Sequence, residues 1–450
     1  MKYGRPGNRG SALVLVLWIS FGLVSLAIYF GQGMSLELKA SANAESGVQA
    51  EQAIEGAGRY VTYLLGNLPE QGRLPGPDLY VTEAAAVGEG FFWLIGRDLQ
   101  EQTVSPGQPY FELIDEAGKL NLNTAQYTNL IELPFMTPEL ADAIIDWRDA
   151  DDEPRESGAE SDVYLRYNPP MTAKNAPFES IEELRLLSGA TEELLYGEDF
   201  NGNGILDENE NDGDVAPPRD NADGRLDLGI MEYVTVWSRE GTLQTNGEPR
   251  LILPALASQQ QRQAAIEAIR DWFTQNLGED RFNQLNQAIG QATNMVDLYL
   301  RSGGTAAEFA QYDDVLTIST NAVEGLINVN TASAVVLNTL PGVEWNDAES
   351  MVAYRRSNPA ALNSVAWVTE VLDDEVARRI GGMITDKGFQ YTADVAAVGR
   401  AGRGFRRTRM VFDISEDRPK IVYRRDESRS GWPLGLETRE ALLAMARQQP

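Results

Sequence analysis

The sequence predicts an α+β protein with three parts: a long N-terminal transmembrane helix, an antiparallel sheet, and a large inserted, mainly α-helical domain with two helical hairpins. Three observations predict it. An uncharged apolar run occupies Ala12 to Phe30. Period-two segments occur before residue 120 and again after residue 388, with helical patterning between them. Two copies of one phrase begin at Leu120 and Ile327, an ungapped offset of 207 residues.

The apolar run comes close to the ~20 residues a helix needs to cross a bilayer core. Lys2, Arg5 and Arg9 precede it with no acidic residue, so the short N-terminal side stays cytoplasmic and the rest is exported. Three readings compete: a secretory signal peptide cut near Ala40-Ser41-Ala42, a plain signal anchor, and a prepilin-type leader cut between Gly10 and Ser11. The run is longer than the ~7–15 residues of a usual signal-peptide core. The following sequence favours the third reading. No proline occurs from Met34 to Leu65, and apolar residues keep helical spacing (Leu36, Leu38, Ala42, Val48, Ala53, Ile54, Ala57, Val61, Leu65). A helix over residues 11–65 would be about 80 Å long at 1.5 Å per residue.

A membrane helix continuing as an amphipathic one, then a Gly/Pro-rich exit (Gly66, Pro69, Gly72, Pro75, Gly76, Pro77), resembles a pseudopilin of the type IV pilin-like class. The resemblance implies cleavage after Gly10 and methylation of Ser11 by a prepilin peptidase. Most pilin-like proteins carry Glu at the fifth position after the cut, whereas this chain has Leu15. A carboxylate in the bilayer costs a few kcal/mol, and the amine of an adjacent subunit relieves that cost. A subunit with no neighbour above it is better served by an apolar side chain. In this respect the chain is similar to the K-type minor pseudopilin of type II secretion systems, the tip subunit of its filament.

Composition narrows the function. The chain of 450 residues carries a formal charge of −29 and has neither Cys nor His. Such a surface repels nucleic acid and attracts cations. Without Cys there is no disulfide or thiol chemistry, and without His the commonest general base and zinc ligand are missing. No catalytic set is recognisable, and a non-enzymatic assembly protein is expected.

Residues 66–119 form the first part of the sheet, through Phe91–Ile95 and Tyr110–Asp115. The inserted α-domain spans 120–387. Its repeat pairs Leu120-Asn121-Leu122-Asn123-Thr124-Ala125, Leu133-Pro134 and Trp147-Arg148 with Ile327-Asn328-Val329-Asn330-Thr331-Ala332, Leu340-Pro341 and Tyr354-Arg355. Each copy, 120–148 and 327–355, reads as a helical hairpin with Asn123 or Asn330 as N-cap. The hairpin resembles the helix-hairpin-helix family, whose DNA-binding members use a Gly-rich turn. The first copy has no turn glycine; the second has Gly342 followed by Val343 and Glu344, an acid that opposes phosphate. A membrane-anchored DNA receptor of a competence-type system is the competing function, and the charge argues against it.

The phrases Trp147–Pro154, Gly158-Ala159-Glu160 and Asn175–Leu184, together with the repeat, resemble the inserted α-domain of K-type pseudopilins. The acids of Trp147–Glu153 are open to three readings: a solvated loop, a metal site or a catalytic pair. A helical stretch from Ser258 to Phe309, within 242–326, departs from the short link expected of the family.

Asp199-Phe200-Asn201-Gly202-Asn203-Gly204-Ile205-Leu206-Asp207-Glu208-Asn209-Glu210 fits the twelve-residue calcium loop. Side-chain oxygens fall at positions 1, 3, 5, 9 and 12 (Asp199, Asn201, Asn203, Asp207, Glu210), the Ile205 carbonyl at 7, and Gly204 at the sharp turn. Pro217-Pro218 prevents an exiting helix, so the loop is a structural clip for Ca2+ rather than a sensor. A weaker phrase, Asp220–Asp227, has Arg219 where the first ligand belongs. Asp214, Asp220, Asp223 and Asp227 are its candidates for a second ion, within a region running to 227. Calcium binding is also what the family resemblance implies.

Met231–Ser238 alternates as a strand. Residues 388–430 return to the sheet, and 431–450 read as a tail. Arg400, Arg403, Arg406, Arg407 and Arg409 read as a solvated basic hairpin, a docking patch or a nucleic-acid contact. The resemblance implies as partners the I- and J-type minor pseudopilins, the major pseudopilin, a prepilin peptidase and the inner membrane, with no nucleic acid. It places the bulk of the chain in the periplasm.

Overall fold

An unbroken run without proline gives one helix, α1, Arg9–Leu65. In this computed structural model the described residues are 9–97, 108–213, 215–244, 247–416 and 418–448. Residues 1–8 of the leader lie outside them. Gly10 and Ser11 belong to α1, which is helical across the expected cut. From Leu13 onward α1 is long and apolar enough to cross a membrane, with a mean hydropathy of 2.4 over its most apolar stretch. The buried stripe is confined to the second half: Ala50, Ala53, Ile54, Ala57, Val61 and Leu65 face the sheet, whereas Leu36, Leu38 and Val48 are exposed.

Six strands form that sheet: β1 (Ala85–Val87), β2 (Gly90–Ile95), β3 (Ile114–Asp115), β4 (Gln390–Val398), β5 (Arg406–Asp413) and β6 (Lys420–Asp426). The order is β1-β2-β4-β5-β6, with β3 also on β4, and every pairing is antiparallel. Period-two alternation sorts the side chains onto two faces. Phe92, Leu94, Tyr391, Ala393, Val395, Ala397, Met410 and Phe412 pack against α1. Trp93, Ile95, Ala396 and Val398 pack on the other face with Leu434 and Leu442. Those two leucines correct one expectation. Residues 431–450 are not a plain tail, because Gly435–Gln448 is a helix that covers this second face.

At the far end of the sheet the turn after β4 closes on α1. Gly404 has φ +70°, and a Cβ there would lie 2.3 Å from the Ser46 carbonyl carbon.

The α-domain leaves the sheet after β3 and rejoins it at β4, and one hydrophobic cluster runs through it. Ile269, Phe273, Phe282, Leu285, Ile289, Val296 and Leu298, from the segment 242–326, belong to that cluster. Buried Asp297 pairs at 2.8 Å with both Arg301 and Arg378, tying the segment to helix Asp374–Ile380. The extra helices therefore enlarge one core.

The repeat is real in three dimensions. Tyr127–Leu130 precedes Pro138–Arg148 in one copy, and Ala334–Asn338 precedes Trp345–Ser357 in the other. Arg148 donates to the Leu122 and Ala125 carbonyls, and Arg355 to those of Val329 (3.0 Å) and Ala332 (2.6 Å), the equivalent positions.

Two local expectations are corrected. Asn123 and Asn330 are not the helix caps; Gln126 and Ser333 are. Asn123 is committed to the backbone of Phe178, and Asn330 to the Leu362 and Asp386 carbonyls and the Trp367 indole N–H. Met231–Ser238 is not one strand. Ile230–Glu232 is a 3-10 turn, and only Val234–Thr235 pairs, in parallel, with Leu120–Asn121. The Thr235 hydroxyl accepts from Trp237 N and turns the chain away.

Both hairpin turns need a left-handed residue. The second uses Gly342 (φ +86°) and the first Phe135 (φ +59°) at the matching position. Glu132 and Glu344 line the groove shared with Pro341 and Gly342. Acid thus stands where a DNA phosphate would have to approach, which disfavours the DNA-receptor reading.

Candidate calcium loop and its seat on the sheet

Helix Glu192–Tyr196 ends at Gly197 (φ +62°), and the chain enters the loop at Asp199. Asp199 accepts from Asn203 N at 2.9 Å and Gly204 N at 2.8 Å. Asn203 Oδ1 accepts from Ile205 N, and Glu210 Oε2 from Asp207 N. The amides of Asn201 and Asn203 both donate to Asp207 Oδ2, at 2.7 and 3.1 Å. Gly204 takes φ +71° with Arg97 Cδ only 3.0 Å from where a Cβ would sit, so the sixth position requires glycine on two grounds. Hydrogen bonds thus tie all five predicted side chains into the loop, and Ile205 is buried within it.

The loop gathers buried polar and acidic groups. Asp199, Asn203 and Glu210 are buried. Burial, then Asp199 and Asp207, push the Glu210 carboxyl up to about 8. Burial also raises Asp199, against the pull of Arg97. Among the described residues, Asn201 Oδ1 and Glu210 Oε1 are buried and have no hydrogen-bond partner. Buried acceptors without donors are costly. A hard cation that takes six to eight oxygens would satisfy them, so the residues present fit Ca2+.

The seat of this loop is the face of the sheet away from α1. Arg407 is 1% exposed and donates to Asp394 through Nε (2.9 Å) and Nη2 (2.7 Å). It also donates to the carbonyls of Asn201 and Gly202. Arg97 donates to the Gly202 carbonyl, to Gly96 O and to Glu232. Burial alone would raise the Asp394 carboxyl, but Arg407, then Arg409 and Arg97, hold it down at about 2. The basic hairpin expected to be solvated is thus corrected in part: Arg407 lies inside, and Arg409 reaches Asp394 at 3.6 Å. The alternation of β4 and β5 contains the signal, since Arg407 and Arg409 fall on the same face as Asp394.

The second phrase repeats the hydrogen-bond scheme of the first with donors and acceptors recruited from outside it. Asn221 donates to Asp227 Oδ2, as Asn201 does to Asp207. Asp223 accepts from Arg225 N, as Asn203 does from Ile205. Asn211 accepts from Gly224 N, taking the part Asp199 plays with Gly204. Glu198 accepts from Asp227 N, taking the part of Glu210, and from Asn221 N. Asp220 is engaged elsewhere, accepting from Asp212, Gly213 and Ala222. Asp214 lies outside the described residues. The pattern of the second phrase gives no sign of Glu198 and Asn211, which directly flank the first loop.

Fold and site together describe a helix long and apolar enough to cross a membrane, packed on an antiparallel sheet into which a mainly helical domain is inserted. Residues 113–196 match the family model described as Type II secretion system (T2SS), protein K. The Type II secretion system protein K of Klebsiella pneumoniae is 31% identical over 107 residues, 19% of this chain and 33% of that protein. The chain therefore spans about a third of the length of this curated relative. The GspK-GspI-GspJ complex from the enterotoxigenic Escherichia coli type 2 secretion system is similar at 12% identity and a TM-score of 0.36, over 89% of this chain and 99% of that one. A likeness that distant decides nothing by itself. The sequence matches bear out the resemblance to the K-type minor pseudopilins.

Proposed function

We propose that the chain is the minor pseudopilin at the tip of a type II secretion pseudopilus, where it initiates assembly and supports protein export across the outer membrane. The observation that carries this reading is the match of residues 113–196 to the protein K family, within a domain inserted into a sheet on an apolar helix. Leu15 supports the tip position, since no carboxylate is present there to require an amine from a subunit above. The segment that follows α1 meets the α-domain, where Arg73 pairs with Asp386. Bulk at that end suits a subunit with nothing stacked over it.

In this reading the chain is cut after Gly10, methylated on Ser11, and held in the inner membrane with its bulk periplasmic. It assembles with I- and J-type minor pseudopilins above the major pseudopilin. Ca2+ held by Asp199, Asn201, Asn203, Asp207, Glu210 and the Ile205 carbonyl braces the α-domain against β4 and β5. A second ion sits with Asn221, Asp223 and Asp227, with Glu198 supplying the acid that Asp220 does not.

The test is the mass of the N-terminal peptide from membranes, with and without a co-expressed prepilin peptidase. A peptide beginning at methylated Ser11 only with the peptidase is expected. An intact Met1 terminus in both overturns the reading.

A further inference from the structure

Helix Pro138–Arg148 ends in a turn rich in acids, beside which Arg148 donates to the Leu122 and Ala125 carbonyls and Arg155 pairs with Asp142. Asp149, Asp151 and Glu160 bring one carboxylate oxygen each to within 4.8 Å of one another. Glu160 is 2% exposed, and neither of its oxygens has a hydrogen-bond partner among the described residues. Asp149 Oδ1 is likewise buried and unpartnered. Two neighbouring acids already have work. Asp142 accepts from Arg155 Nε at 2.7 Å and from Ser157 N at 3.1 Å, and Asp146 accepts from Arg155 N. The Arg155 head is thereby drawn to Asp142. Gly158 lets the chain pass against Asp146, since a Cβ there would fall 1.9 Å from Asp146 Oδ2. That close approach sets Glu160 beside Asp149.

The largest influences on Glu160 are unfavourable to its charge: burial first, then Asp146, Asp149, Asp152 and Asp151. The C-terminal end of a helix adds partial negative charge at the same place. Glu160 and Asp149 offer buried oxygens without a partner, the exposed Asp151 adds a third carboxylate, and with no nitrogen or sulfur donor among them they form a set for a hard divalent cation.

We infer that Asp149, Asp151 and Glu160 bind a divalent cation of the Ca2+ class, separate from the loop at Asp199–Glu210. The ion closes the 149–160 turn onto the helix and does not depend on the proposed place of the subunit in a filament.

The test counts Ca2+, and separately Mn2+, bound to the detergent-solubilised full chain by equilibrium dialysis. Glu160→Gln is expected to lose one bound equivalent relative to the parent. The same loss is expected when it is added to an Asp199→Ala/Glu210→Ala background. Asp151→Asn, at an exposed position, guards against a Glu160 variant that fails to fold, and should weaken the same equivalent at least tenfold. An unchanged count and affinity with both ions in a folded Asp151→Asn chain, or in a folded Glu160→Gln chain, overturns the inference.

Discussion

Arg407 and Asp394 form a fully buried, two-bond ion pair, and the same guanidinium donates to the Asn201 and Gly202 carbonyls. One side chain thus joins two strands of the sheet to the Asp199–Glu210 loop, so a change at the sheet should be felt at the loop.

Arg407→Met is expected to destabilise the chain by about 3–5 kcal/mol, since it strands the Asp394 charge inside. It should also weaken Ca2+ binding, because the loop loses its seat. Urea unfolding with and without Ca2+ measures both effects. The double variant Arg407→Met/Asp394→Leu should recover much of the stability but not the affinity.

Asp394 also predicts a pH dependence. Its folded carboxyl titrates at about 2, below the ordinary 3.8. A depressed acid contributes stability above its unfolded value and loses it as pH falls through the folded one. Stability should therefore drop on acidification from about 4 to 2, by on the order of 2 kcal/mol for this group. Asp394→Asn should flatten that part of a pH-resolved denaturation profile.

Asp115 predicts the opposite slope. Burial raises it to about 6, against hydrogen bonds from Thr331, Ala117 and Asn328. A raised acid contributes most below its unfolded pKa, and the contribution is lost as pH rises through about 6. Asp115→Asn should abolish this component between roughly pH 4 and 6 in the same experiment.

At the Asp199–Glu210 loop, Asp199→Ala with Glu210→Ala should cut the Ca2+-dependent rise in Tm expected of the parent down to what the other two sites contribute. Thermal melts over a Ca2+ titration, with EDTA as the zero point, measure it. A parent-like rise would sink the site.

The two hairpin turns give a paired test. Phe135→Gly should stabilise by up to ~1 kcal/mol, because a half-exposed phenylalanine leaves the left-handed region to a residue at ease there. Gly342→Ala should destabilise by at least as much, as its Cβ would meet Arg379 Nη1 at 2.5 Å. Thermal denaturation of both variants decides the matter.

What the sequence disclosed depended on the range of the forces involved. The apolar run and the long strands of period two, Gln390–Val398 and Arg406–Asp413, are local patterns and appear where the spacing put them, whereas Met231–Ser238 does not. The repeat was legible because both copies keep Arg148 and Arg355 for the same carbonyls. Charges whose partners lie far along the chain were not legible. Arg407 looked solvated because nothing near it in sequence shows that Asn201 will close over it. Asn123 looked like a cap because Phe178, its actual partner, is distant. Glu198 was passed over because it serves a loop that begins beyond the one it adjoins.

The insertion also sets an order of events. β2 and β3 pair with β4 across the whole α-domain, through Asp394 with Ile95 and Tyr391 with Asp115. During synthesis the first strands emerge long before the central strand that completes them. They wait beside α1 with open edges while residues 120–387 emerge. Pairing over such a sequence separation is slow, and unpaired edges invite association with other chains. The α-domain, whose contacts are largely its own, is then the part able to fold first. Its collapse brings the two ends of the sheet together, so sheet closure is the late step in the maturation of this subunit.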